Sequence, residues 1–218
     1  MLDYKQKKEI VVIGSGGHAS SVIDILQQLK EWNIHGVVSV NLKKSETFNG
    51  IKVIGDDTIF EELIHNQYSF VIAIGQILSS STRVKIFNQL LELGAMLPII
   101  ISPDAYVSQN ATIGRGTMIF HRVVINANVR IGNNCIINNT SLIEHDTTIG
   151  SHTHISTGAI VNGNVSIGDH CFIGSGSVIA NNISICDEVI IGAGAVVISN
   201  INAPGVYYGN PAKKKQNG

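Results

Sequence analysis

The chain is short of charge. Of its 218 residues 14% are Asp, Glu, Lys or Arg, and together they leave a formal net charge of -1. A balance that close to zero supplies no field to steer a nucleic acid, and the lysines gather mainly toward the two ends. Long apolar runs are missing as well. None reaches membrane-spanning length, and the opening "MLDYKQKKEI" has no apolar core after its charges of the kind a secretory signal carries. A soluble, cytoplasmic protein with no membrane insertion is therefore expected. Between the two halves of the chain no Gly/Ser-rich stretch occurs, so the sequence predicts two abutting domains without a flexible linker.

What is present is a repeat. From Ile101 every sixth residue is Ile or Val: Val107, Ile113, Ile119, Ile125, Ile131, Ile137, Ile143, Ile149, Ile155, Val161, Ile167, Ile173, Ile179, Ile185, Ile191 and Val197. Two positions earlier most units carry something small or narrow, such as Ala111, Thr117, Cys135, Ser141, Thr153, Ala159 and Ser177. A period of six fits neither a helix nor a free strand; it accommodates a short strand plus a corner. Three units then close an eighteen-residue triangular coil, with coils stacked roughly 4.8 Å apart. Asn and Gly fill the corners, where the chain turns sharply. The sequence thus predicts a parallel β-helix with an Ile/Val core. The period does not set its hand, and crossovers are right-handed as a rule. Cys135 and Cys171 fall in one column two coils apart, about 9.6 Å, which is too far for a disulfide. With Cys186 they are expected to be reduced thiols.

The first hundred residues read differently. "KEIVVIGSGGHASSVIDILQQLKEW" is a buried strand over Ile10 to Ile13, a glycine turn, then a helix with Ala19, Val22, Ile23, Leu26 and Leu29 on one face. The turn Gly14-Ser15-Gly16-Gly17-His18 leaves backbone N–H groups free at a helix start, where a phosphate would be welcome. The same turn can also be only a tight connection. It is not the full dinucleotide fingerprint, because the following strand "IHGVVSVN" ends without an acid. "GIKVIGDD", "TIFEELIHNQ", "YSFVIAIG" and "SSTRVKIFNQLLELG" continue the alternation of strand and helix, with Gly94 as a C-cap. A small α/β domain is predicted over residues 1–97, with Pro98 and Pro103 stiffening the passage into a β-helix domain over 98–218. After Val197 the repeat dissolves. Pro204, Gly205, Gly209 and Pro211 are expected to forbid regular structure, and the closing lysines to fray.

Among eight histidines, position in the repeat singles out His145. Stepping by eighteen, its column reads Ala127, His145, Gly163, Asn181. Gly163 leaves room for the imidazole, and the neighbouring Asp146 can fix its tautomer and raise its basicity. The plain alternative is a solvated "EHD" corner. His152 and His154 have a spacing that brings two rings together, but no third ligand accompanies them at zinc spacing. His154 directly precedes the anchor Ile155 and is expected to face outward on a flat side, open to a neighbouring prism or a ligand.

Three stretches, "GSGGHASSVIDIL" at 14–26, "SLIEHDTTIGSHTHISTGA" at 141–159 and "GVYYGNPAK" at 205–213, make the chain resemble a family along almost its whole length. It is similar to the bacterial sugar acyltransferases with a Rossmann-like N-terminal domain and a left-handed β-helix. These include the enzymes that acetylate nucleotide-linked 4-amino-4,6-dideoxy sugars for bacillosamine, perosamine or viosamine glycans, and their relatives the sialic acid O-acyltransferases. The resemblance implies a left-handed coil and a homotrimer with acetyl-CoA held between prisms. It implies His145 as general base and Asp146 as its orienting acid, and it puts His154 near the thioester. Gly163, Ser175 and Ala193 would line the pantetheine and adenine track, with Gly209 and Pro211 closing over the cofactor. Asn138 would lie near the sugar amine, and Ser15 and Gly16 at the nucleotide phosphates. One departure stands out: relatives carry aspartates after the second strand, where this chain has Ser39, Val40 and Asn41. Asn41 is left as the candidate for the base or ribose.

The function implied is N-acetyl transfer from acetyl-CoA to the amine of a nucleotide-activated amino sugar, by direct attack with no acyl-enzyme. O-acetylation of a sugar hydroxyl with the same base is the second enzymatic reading. A hexapeptide scaffold or a metal-bearing protein of the carbonic anhydrase-like kind is the third.

Overall fold

The structure is a computed structural model that describes residues 7–215. The chain divides into two units. One ends at Gly75 and resumes over Ser81–Pro103; the other comprises Gln76–Ser80 and the chain from Asp104 on.

In the first unit the alternation of apolar runs and amphipathic segments becomes β1 (Lys8–Ile13), α1 (Gly17–Gln28), β2 (Trp32–Val38), β3 (Thr47–Phe48), β4 (Ile51–Gly55), α2 (Phe60–His65), β5 (Ser69–Ile72) and α3 (Ser81–Glu92). The sheet order is β3-β4-β2-β1-β5. All pairs are parallel except the β3–β4 hairpin, so the sheet is mixed. Val11, Ile13, Phe70 and Ile72 pack with Phe60, Phe87 and Leu90 in the core. The buried Arg83 donates from Nη1 to the carbonyls of Ile72 and Ile74, closing off the C-terminal end of β5. The C-terminal ends of β1, β2 and β5 therefore lie side by side, where such sheets form their crevices.

The second unit is a left-handed parallel β-helix with three faces. Paired residues along most of it are eighteen apart: Ile125 with Ile143, Ile131 with Ile149, Ile137 with Ile155, Ile149 with Ile167. The anchors from Ile119 to Val197 are buried. At most corners one residue adopts the left-handed conformation, with φ of 55–63° at Asn128, Asn134, Asp146, His152, Asn164, His170 and Asn182. Short polar side chains tolerate this region best, which is why Asn recurs there. At one edge the coils approach so closely that a Cβ on Gly114, Gly132, Gly150 or Gly168 would come within 2.1–2.6 Å of the next coil. The narrow interior residues are satisfied too. Thr153 Oγ1 donates to Gly168 O at 2.9 Å and accepts from Cys171 N at 3.0 Å. Cys135, Cys171 and Cys186 are free thiols, and burial pushes Cys171 up to about 12, so it remains protonated and inert.

The tail departs from expectation. Gly205–Tyr208 and Lys213–Lys214 are strands, the first parallel to Val189–Ile191 and the second antiparallel to the first. The reason is that the coil continues with a corner two residues shorter. Ile201 bridges Ile185, and Val206 pairs with Ile190, sixteen residues apart instead of eighteen. The six-residue count breaks at that corner while the stacking does not, and the lysines are paired instead of frayed.

Ile149 and Ile167 are stacked anchors, 1% and 2% exposed. Truncating either to Ala removes buried methylenes and leaves a cavity in a rigid column, so denaturant unfolding should show a loss of about 2–5 kcal/mol. A loss below about 1 kcal/mol would mean that the side chain does not belong to the interior.

Candidate functional site

His145 and Asp146 occupy a corner of the β-helix and are 60% and 51% exposed. The imidazole Nδ1 lies 2.8 Å from Asp146 Oδ2. Bonds from His145 and then from Asn128 hold the Asp146 carboxyl below the usual carboxylate range, so it stays ionised through neutral and mildly acidic pH. An ionised carboxylate only accepts, so Nδ1 carries the hydrogen of this bond, and in the neutral ring the lone pair is then on Nε2. The ring lies across Gly163, where a Cβ would be 2.8 Å from both Cε1 and Nε2. The corner thus presents an exposed imidazole whose neutral form has Nε2 as its acceptor and whose orientation is fixed from behind.

The other β-helix residues separate into two groups. Gly163 belongs with His145, apart from Ser175 and Ala193. Those two are exposed, eighteen residues apart, at the next corner around the coil. Ser175 Oγ is 2.9 Å from Ser156 Oγ. Gly209 O accepts from Val196 N at 3.0 Å, and Ala212 N donates to Val196 O at 2.8 Å, which lays Gly209 and Pro211 beside the coil of Ala193. The face between the two corners carries Leu142, Ile160, Val178 and Val196 outward. Crossing it takes about 15 Å of strand at about 3.3 Å per residue.

His154 is not open on a flat side. It is 6% exposed, covered by the segment Gln76–Ser80. Its Nδ1 is 2.6 Å from Gln76 O, and its Nε2 is 3.3 Å from Asn138 Nδ2. Gln76 Nε2 also donates to the carbonyls of His152 and Cys171, at 2.8 and 3.3 Å, and Ser80 Oγ lies 3.1 Å from His170 Nδ1. A cover supplied from more than seventy residues earlier leaves no trace in the repeat. His152 stacks on His170 with centroids 5.0 Å apart. Among the described residues no three His, Cys, Asp or Glu side chains are grouped to hold a metal ion.

In the first unit, Ser15, Gly16 and Asn41 do meet. They line a cavity of about 460 Å³ at the ends of β1, β2 and β5, together with Ser39, Ile74 and Thr82. Ser15 Oγ is 2.7 Å from Ser39 Oγ, which accepts from Asn41 N at 3.1 Å. Gly14 has φ of +116° and no space for a side chain, since a Cβ would meet Ala73 O at 2.9 Å. Gly16 and Gly17 instead have nothing within 4 Å of where a Cβ would be, so their freedom faces the cavity. Gly16 is the N-cap of α1 and has no side chain to cap it, so the helix start opens on the cavity without a capping side chain in the way.

Sequence reasoning missed Asn128, whose Nδ2 donates to Asp146 Oδ1 at 3.0 Å, and Ser39, the buried hydroxyl between Ser15 and Asn41. The eighteen-residue step applied to Asp146 finds the first; the second stands in the sequence only as part of the departure after β2, and its bond to Ser15 has no sequence signal.

Comparison with known proteins finds matches for both halves of the chain. Residues 9–90 match the model of the PglD N-terminal domain, and residues 101–202 that of the GMPPB C-terminal domain. No curated protein sequence matches. Among solved structures, PerB from Caulobacter crescentus in complex with CoA and GDP-perosamine is 31% identical with a TM-score of 0.88, over 95% of this chain and 97% of that one. The acetyltransferase domain of PglB from Neisseria gonorrhoeae is 30% identical with a TM-score of 0.88, over 96% of this chain and all of that one. WeeI from Acinetobacter baumannii is 27% identical with a TM-score of 0.85, over 96% and 100%. With identity at this level along nearly the full length of both chains, and the corner histidine and the glycine-lined cavity in place, the chain belongs to the bacterial nucleotide-sugar N-acetyltransferases of the hexapeptide-repeat, left-handed β-helix family.

Proposed function

We propose that the chain transfers the acetyl group of acetyl-CoA to the amine of a nucleotide-linked 4-amino-4,6-dideoxy sugar. The observation that carries this is the exposed His145–Asp146 pair over Gly163, with Nδ1 turned to the carboxylate so that Nε2 is the acceptor of the neutral ring. The amine nitrogen attacks the thioester carbonyl carbon and His145 Nε2 takes the proton that the nitrogen sheds. The imidazolium, steadied by Asp146, returns a proton to the departing CoA sulfur as the C–S bond breaks. No acyl-enzyme is required, and the buried Cys171 thiol is held too high to serve as a nucleophile. The cavity around Ser15, Gly16 and Asn41 is read as the nucleotide site, with the start of α1 toward the diphosphate. Asn138, bonded to His154, is read as lying toward the sugar, and both co-substrates are products of cytoplasmic metabolism.

The cofactor track of Ser175, Ala193, Gly209 and Pro211 lies one face away from His145 in the same chain. That face is apolar outward, from Tyr106, 57% exposed, through Leu142 and Ile160, whereas the next presents Thr112, Arg130, Thr148, Ser166 and Ser184. Packing the apolar face about a threefold axis brings one edge of each prism to the opposite edge of its neighbour. The reading is therefore a homotrimer in which the base of one subunit meets the cofactor of the next.

The test is the product. Incubated with acetyl-CoA and UDP-, dTDP- or GDP-linked 4-amino sugars, the protein should release CoA thiol and yield an N-acetyl sugar. His145→Ala should lose roughly 10²–10⁴ in kcat with little change in acetyl-CoA affinity. Gly163→Ala should fold normally and lose about tenfold, because the added methyl displaces the ring. Acetylation confined to a hydroxyl, as on sialic acid, would replace the amine reading, and full turnover by His145→Ala would discard the base.

Gly16 tests the nucleotide site. Its backbone is extended, with φ of -101°, nothing lies within 4 Å of where a Cβ would be, and the residue lines the cavity, so Gly16→Leu adds bulk at the cavity without straining the turn. KM for the sugar nucleotide should rise at least about tenfold, with KM for acetyl-CoA unchanged. Equal effects on both would make the turn structural only.

A further inference from the structure

We propose that Asn128 is the positioning residue of the His145–Asp146 pair, holding the carboxylate so that the imidazole is kept in the one tautomer able to accept a proton at Nε2. The inference rests on reading His145 as the base. Asn128 and Asp146 are stacked corner residues one coil apart, with φ of +63° and +61°. Asn128 Nδ2 donates to Asp146 Oδ1 at 3.0 Å while His145 Nδ1 donates to Asp146 Oδ2 at 2.8 Å.

The column shows why the acid is there. It reads Asn128, Asp146, Asn164, Asn182, and one coil further on Asn164 Nδ2 donates to Asn182 Oδ1 at 2.8 Å in an ordinary amide ladder. An Asn at 146 would continue that ladder, but it has one acceptor atom, and Asn128 would occupy it. The NH₂ would then face His145 and favour the opposite tautomer. Only a carboxylate accepts on both oxygens, and the ladder is interrupted by one beside His145. Asn128 supplies the second of its bonds, and with it the carboxylate plane is fixed instead of free to rotate about a single contact.

The charges around the pair are few. Arg130 acts on Asp146 from the same coil as Asn128. Glu144, the residue before His145, is tied by a bond of 2.8 Å from Asn126 Nδ2, so a second asparagine holds the other carboxylate of the corner. A carboxylate placed at 128 would stand against Asp146 and add a negative charge beside the pair.

The experiment uses the full-length protein and two variants, Asn128→Ala and Asn128→Asp, with two readouts. Imidazole ¹⁵N shifts, assigned to His145 by their loss in His145→Ala, report the tautomer without any substrate. In the parent protein Nδ1–H should predominate, and in Asn128→Ala the two tautomers should mix. In kinetics, Asn128→Ala should lower kcat about tenfold while leaving both KM values within about twofold. Asn128→Asp should move the acid limb of kcat/KM to higher pH, because the added charge favours the imidazolium. An unchanged His145 tautomer and an unchanged pH profile in both variants would overturn the proposal, whatever happens to the melting temperature. If the parent protein transfers no acetyl group, the function proposed above fails, while the tautomer measurement still decides the role of Asn128.

Discussion

Every strand of the β-helix is two or three residues long in its repeating part, too short to persist alone, and what holds it is the bond from each backbone N–H to a carbonyl one coil away. Thr148 N donates to Val165 O, Ser166 N to Ile183 O and Arg130 N to Thr147 O, all at 2.9 Å. This register requires that residues eighteen apart lie side by side. One inserted residue within a coil would turn an anchor outward and expose every partner stacked on it. The same constraint builds the chemistry, because His145 meets Gly163, and Asp146 meets Asn128, only as neighbours along a column.

The corner is well suited to hold a reactive group. Its backbone is determined on both sides by the ladder, so a left-handed residue such as Asp146 is carried by the coil instead of by local preference. The side chain then needs only one or two hydrogen bonds to lose its remaining freedom. Where the interior demands inertness the same coil delivers it: Cys135 and Cys171 occupy the narrow column, bonded to carbonyls and closed to solvent. In the first unit the constraint is different. There a parallel sheet ends in a glycine turn, Gly14 is fixed by contact with Ala73, and Gly16 is left open toward the cavity.

How much of this the sequence displays depends on whether a feature follows from the period. The Ile/Val core, the reduced cysteines and the room that Gly163 gives His145 all follow from counting by six and eighteen. Asn128 follows from the same count, carried one residue further. The cover over His154 does not, because Gln76 arrives from outside the repeat and is bonded through its main-chain oxygen, which no side-chain pattern advertises. The tail misleads for a related reason. Gly and Pro signal turns correctly, with Gly209 at φ of +95°, but the strands between those turns are held by the last coil of the repeat and not by their own propensity. Ser39 carries no signal of its own in the sequence, and its part in the cavity shows only where its hydroxyl is bonded to Ser15.

In the proposed assembly His145 as base and the corner of Ser175 and Ala193 as cofactor track stand on opposite edges of an apolar face, with the site completed between subunits. Mixing tests it. His145→Ala chains and Ala193→Trp chains, each inactive alone, are unfolded together in equal amounts, refolded, and shown to be trimers by sedimentation. If base and track come from neighbouring subunits, about one quarter of the sites should pair an intact His145 with an intact Ala193 corner, and about a quarter of normal turnover should return. No recovery in properly formed mixed trimers would place both halves of the site in a single chain and contradict the account.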